Sequence, residues 1–267
     1  MKLPNGILTV VSLLAVLFFT GCVTPAPSHV SLNQESIPHI TSTEVFVGFT
    51  DHEIIPYNES KLSKYMLGGL IPGVIDAMIN YSQAKEQSKP VIGYIRDALD
   101  DIKYQQSFTE TMKLKLQSVG WLKISEVSLA NSATDNMYDV YYSTSKAGTV
   151  LFITTKYSFS DDFKALKIVS SLKLFPKDEN LKSFALSWSA NDEVMVKDNN
   201  CLYKNVIRIE NPLNQEVTSK EAAILLWANN NAALLRQALE SGINEITALI
   251  ATDLLTAANK SVHTDAE

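Results

Sequence analysis

The side chains best able to do chemistry in this 267-residue chain are four histidines, two cysteines and two pairs of adjacent aspartates. Their placement excludes more than it offers. His29, His39, His52 and His263 sit toward the two ends, and no histidine occurs between Glu53 and Val262. A Ser-His-Asp or Cys-His nucleophile needs a base beside it, and a zinc site needs several His or Cys ligands, so neither is expected. Asp100-Asp101 and Asp161-Asp162 are the acid pairs. General acid–base work uses two carboxylates held apart in different environments, whereas adjacent aspartates read as a solvated helix surface and a turn. The stretch Gly68-Gly69-Leu70-Ile71-Pro72-Gly73 lacks both the dinucleotide fingerprint and the Lys-Ser/Thr of a phosphate loop. No enzyme activity, metal or cofactor is expected.

The cysteines are more informative. Phe19-Thr20-Gly21-Cys22 closes a largely apolar run from Ile7 that follows Lys2, a signal-peptide pattern too short to span a membrane. These four residues resemble the bacterial lipobox: Thr20, Gly21 and Cys22 match it, and Phe19 stands where an aliphatic residue is usual. The resemblance implies that the Cys22 thiol receives a diacylglycerol, that the chain is cut before it, and that the new amine is acylated. Cys22 is then the lipid-attachment residue and residues 1–21 are the leader. The other reading is an ordinary secretory leader with Cys22 incidental. Several acyl chains anchor a protein far more firmly than one. Val23 in place of Asp implies sorting to the outer membrane, with the body on its periplasmic face.

A lipidated Cys22 leaves Cys201 without a partner in an oxidising compartment, which favours a buried thiol. Alternation places it with Tyr203, Ile207 and Ile209 on one face of a strand.

Removal of residues 1–21 takes away Lys2 and no acid, so 22 basic residues face 29 acidic ones and the net charge becomes −7. An acidic chain does not suit nucleic acid or an anionic lipid surface as its main partner, because both are bound through basic excess. With 46% hydrophobic residues it can bury a sizeable core in one domain, taken here as residues 42–258.

The elements follow from spacing. Residues 22–41 contain three prolines and read as a flexible lipidated tether. Ser42 to Phe49 is apolar on both faces, as in a central strand. Helices are expected from Ser60 to Gly68, from Pro72 to about Gln87, over Ile92 to Ile102, over Ser107 to Val119 and, after Thr134, through Met137, Val140, Tyr141 and Thr144. Trp121 to Leu129 reads as a strand. Thr149 to Phe159 and Ala165 to Phe175 alternate around Ser160-Asp161-Asp162 and form a hairpin, and strands at Ser183 to Ala190 and around Cys201 continue a meander. After Pro212 the chain turns helical. Leu239, Ile243, Ile246, Ile250 and Leu254 make one stripe, Asn229-Asn230-Asn231 is the expected break, and 259–267 is a frayed tail. The fold class is α/β of the α+β type: an antiparallel sheet of five or six strands, packed mainly on one face by helices, with a long C-terminal helix.

The run from Gly68 to Asn80, Ile95-Arg96-Asp97-Ala98-Leu99, the hairpin Tyr157-Ser158-Phe159-Ser160-Asp161-Asp162 and the helix Leu249 to Leu254 together resemble uncharacterised proteobacterial envelope lipoproteins. Those are similar in turn to transport-auxiliary, curli-secretion and synthase-activator lipoproteins. The resemblance implies a location and a non-enzymatic accessory role, with the membrane as one partner through Cys22 and a periplasmic or outer-membrane protein as another. A small-molecule or lipid carrier and a carboxylate-dependent glycan hydrolase stand as alternatives.

Overall fold

The computed structural model describes residues 29–49, 102–130, 137–185 and 200–259. The helices expected between Ser60 and Ile102, Cys22, His52, His263, the Asp100-Asp101 pair and most of the Ser183 to Ala190 strand lie outside them.

Five strands form one sheet in the order β2-β1-β3-β4-β5. They are β1 (Thr43–Phe49), β2 (Ile124–Leu129), β3 (Thr149–Phe159), β4 (Ala165–Pro176) and β5 (Tyr203–Pro212). β3 and β4 pair antiparallel through the hairpin, from Thr149↔Pro176 to Phe159↔Leu166, with every position in register. β5 pairs antiparallel with β4 itself, from Ala165↔Pro212 to Leu174↔Tyr203. No strand is interposed, and the described part of the segment expected to supply one, Ser183 to Ala185, instead turns out of a short helix, α3 (Glu179–Lys182).

The expected α+β layout, a sheet with a long C-terminal helix, is the observed one, and β1 adds parallel pairing to the antiparallel strands. β1 lies between β2 and β3 and runs parallel to both. Parallel neighbours need long crossover connections. The one from β1 to β2 contains α1 (Tyr104–Leu116), and the one from β2 to β3 contains α2 (Met137–Thr144). β1 is therefore central, and Val45, Phe46, Val47 and Phe49 are all buried.

The main core lies between one sheet face and two helices. Val45, Val47, Leu151, Ile153, Ile168, Leu172 and Leu174 meet Phe108, Met112 and Leu116 of α1 and the Leu239–Leu254 stripe of α4 (Lys220–Asn259). A smaller cluster on the other face gathers Phe46, Val150, Phe152 and Phe175 under the tyrosines of α2. α4 breaks where expected: Asn230, Asn231 and Ala232 are left-handed, at φ 50°, 56° and 54°. Asparagine tolerates that region better than most residues, which explains why the break falls there.

One expectation is overturned. The segment read as a tether to residue 41 is part of the body from Val30 onward. Val30 exchanges two backbone hydrogen bonds with Lys204 at the start of β5, at 2.9 and 3.0 Å. Leu32 and Ile40 are buried, and between them Gln34–His39 forms a 3₁₀ turn capped by the Asn33 side chain. Pro38 is compatible with a short turn, so its presence does not enforce an extended chain.

Candidate functional site

A polar constellation that joins three segments lies where this N-terminal segment, β5 and the end of α4 meet. Tyr203 and Asn205 are two apart on β5 and so point to the same side, toward α4. Asp253 on α4 faces them. The Tyr203 hydroxyl donates to Asp253 Oδ2, and Asn205 Nδ2 donates to Oδ1 at 2.9 Å. Asn205 Oδ1 accepts from the Val206 N–H at 2.8 Å, which fixes the amide's orientation. Burial, the hydrogen bond to Asp253 and that group's negative charge push the Tyr203 phenol well above its ordinary range, so it remains a donor.

The N-terminal segment closes the cluster. The His29 ring stands edge-on to Tyr203 with centroids 6.3 Å apart, and its Nε2 lies 3.1 Å from Ser31 Oγ. Gln34 Nε2 donates to the Ala257 carbonyl at 2.7 Å. His29, Ser31, Tyr203, Asn205, Asp253 and Thr256 line a cleft of about 60 Å³, room for little more than ordered water. Both Asp253 oxygens are engaged and the nearby phenol is held neutral. The group therefore ties three segments together.

The other sequence candidates are scattered. Asp162 caps the hairpin turn: its Oδ1 accepts from Ser160 Oγ at 2.6 Å and from the Lys164 N–H at 3.2 Å, and these bonds hold its carboxyl below the usual range. The pair Asp161-Asp162 thus does turn work, as its sequence suggests. His39 stacks on Phe184 at 5.7 Å and does not line the Tyr203 cleft. Cys201 is fully buried, as expected. Its surroundings differ from the expectation: it packs with Phe46, Phe152 and Phe175 on one sheet face, while Tyr203 and Ile209 belong to the core on the other. β5 begins only at Tyr203, so strand alternation does not extend back to Cys201.

A pair of tyrosines is buried at the other end of β3. Tyr104 and Tyr157 meet edge to face at 4.3 Å within a ring of Phe49 and Phe108. Neither hydroxyl makes a hydrogen bond of normal geometry among the described residues, although the two phenols act on each other, and burial, the largest cause, pushes both well above their ordinary value. Tyr142 on α2 donates to the Pro176 carbonyl at 2.6 Å, and its phenol is pushed up to about 12, chiefly by burial.

Sequence reasoning missed the Tyr203–Asp253 cluster. The members come from positions 29, 203, 205 and 253, and no local pattern links them. Among the described residues no group of three or more His, Cys, Asp or Glu is placed to hold a metal, and no carboxylate is buried. No helix of the described residues is long and apolar enough to cross a membrane.

No protein-family model and no curated protein matches the chain. Among solved structures it is similar to a PelC dodecamer from Paraburkholderia phytofirmans, at 8% identity and a TM-score of 0.29, covering 85% of this chain and 93% of that one. It is also similar to a neuraminyllactose-binding hemagglutinin homolog from Helicobacter pylori, at 12% identity and a TM-score of 0.18, covering 88% and 95%. Scores this low assign neither a fold family nor a role.

Proposed function

We propose that the chain is a cell-envelope lipoprotein, anchored through Cys22 in the outer membrane, whose body acts as a non-enzymatic accessory that binds another periplasmic or outer-membrane protein. The observation that carries this reading is the lipobox-like Phe19-Thr20-Gly21-Cys22 at the end of an apolar leader. The structure is compatible with it. Of the described acids, Asp162 serves the hairpin turn and Asp253 accepts from Tyr203 and Asn205. The layer between sheet and α4 is filled by Leu151, Ile153, Leu172, Ile246, Ile250 and Leu254, all fully buried, which disfavours a carrier cavity there.

The test is replacement of Cys22 by Ser in the full-length precursor. Acyl labelling is expected to disappear and the protein to move from the membrane to the soluble periplasmic fraction. A variant that keeps its label and its fraction defeats the anchor. Crosslinking of the acylated protein in intact cells then asks for the partner, and a crosslinking pattern matching that of an unrelated periplasmic protein defeats the accessory role.

A further inference from the structure

The short stretch between Cys22 and the packed N-terminal segment determines which end of the body meets the bilayer. Val30 is fixed to Lys204 by two backbone hydrogen bonds, and Leu32 and Ile40 anchor the following turn in the core. Only Val23 to His29, seven residues, separate Cys22 from that fixed point. The eight steps from Cys22 to Val30 span at most about 29 Å even when fully extended. Residues 22–41, if all were free, would reach about two and a half times as far.

Resting on the anchor reading above, we propose that the end of the body where His29, Ser31 and Thr256 stand exposed over the buried Tyr203 is a membrane-facing surface held at the lipid headgroups. Registry sets what shares that end and what does not. Tyr203 lies opposite Leu174, Leu174 opposite Leu151, and Leu151 beside Val45, so the starts of β1, β3 and β5 lie together there. The end of α4 joins them through Asp253 and through the Ala257 carbonyl that Gln34 holds. The β3–β4 hairpin, Ser160 to Lys164, lies at the opposite end, roughly 30 Å along β4. The near surface is polar: His29, Ser31 and Thr256 are exposed, and Asp253 is tied to two donors. That chemistry suits hydrated headgroups rather than hydrocarbon. The hairpin end then faces away from the anchoring leaflet, where a protein partner can reach it.

Energy transfer measures this directly. Full-length protein carrying Thr256→Cys or Asp161→Cys is labelled with a donor dye, Cys201 being buried and protected. Each is reconstituted in phosphatidylethanolamine–phosphatidylglycerol vesicles containing an acceptor-labelled lipid, and mass spectrometry establishes the acyl chains on Cys22. Transfer from position 256 is expected to exceed that from 161 several-fold, and insertion of a long Gly-Ser linker between Ser28 and His29 is expected to remove the difference. Equal transfer from the two positions in acylated protein overturns the orientation and leaves the anchor standing. A Cys22 without acyl chains overturns both.

Discussion

The Tyr203 hydroxyl on β5 donates to the carboxylate of Asp253, 50 residues further along on α4. The bond joins an edge strand to the long helix, and its pH dependence follows from its environment. Burial, then the bond and charge of Asp253, raise the Tyr203 phenol; burial raises Tyr104 and Tyr157. In the unfolded chain a phenol releases its proton near its ordinary value of about 10. The folded chain retains it, so the stabilising contribution is complete below about pH 10 and is lost as pH rises beyond it. Each such phenol removes up to about 1.4 kcal/mol of stability per pH unit in that range. Urea denaturation at about pH 8, 10 and 11 reads the slope. Tyr203→Phe is expected to lower it by about one proton's share. At neutral pH the same variant costs roughly 1–3 kcal/mol, because one Asp253 oxygen loses its donor. An unchanged alkaline slope in Tyr203→Phe removes Tyr203 from this account.

Gly242 sits where α4 packs tightly against β4 and β5. A Cβ there would meet Ile168 Cδ1, and it would lie 2.9 Å from Asn211 Nδ2, which donates to the Ala238 carbonyl at 2.9 Å. Ile168 is fully buried and has little room to yield. Gly242→Leu is therefore expected to lift the helix and destabilise the fold by about 1–3 kcal/mol or more. Thermal unfolding with an unchanged Tm eliminates close packing as the reason for glycine here.

Ile40 separates a packed segment from a tether. A tether residue is solvated in both states, and its replacement by Ala changes stability little. Ile40 is fully buried in the main core. Ile40→Ala is expected to cost about 2–5 kcal/mol through lost burial and the cavity left behind. A loss below about 0.5 kcal/mol in urea denaturation returns the segment to the tether class.

What the sequence made legible is what local pattern controls. The hairpin of β3 and β4 was readable because alternation runs unbroken on both sides of a Ser-Asp-Asp turn, and the break in α4 because three asparagines interrupt an otherwise regular stripe. The packed N-terminal segment was not readable. Its partner Lys204 lies far away in sequence, and Pro38 sits in a short turn that prolines tolerate as readily as extended chain. The parallel placement of β1 escaped for the same reason, since long crossovers leave no signal at the strand itself. The Tyr203–Asp253 cluster needed that tertiary placement before its members could meet. Cys22 is the opposite case: its proposed role rests on local pattern alone, and it lies outside the described residues.

Lys123 shows how a local conformation can work against its own residue type. It follows the 3₁₀ turn Gly120–Leu122 in the left-handed region, at φ 48° and ψ 55°, and its carbonyl accepts from the Thr43 N–H at 3.2 Å. That bond fixes the backbone where β2 begins beside β1. An L-residue pays roughly 1–2 kcal/mol for the left-handed region, and glycine avoids this although it has more freedom to lose on folding. The Lys123 side chain is exposed, so its removal takes little packing with it. Lys123→Gly is therefore expected to stabilise the protein by about 0.5–1 kcal/mol, seen as a higher urea midpoint with an unchanged m-value. Lys123→Val, with a β-branched side chain, is expected to shift the midpoint the other way. If the glycine variant is the less stable of the two, the left-handed turn at Lys123 is absent in solution.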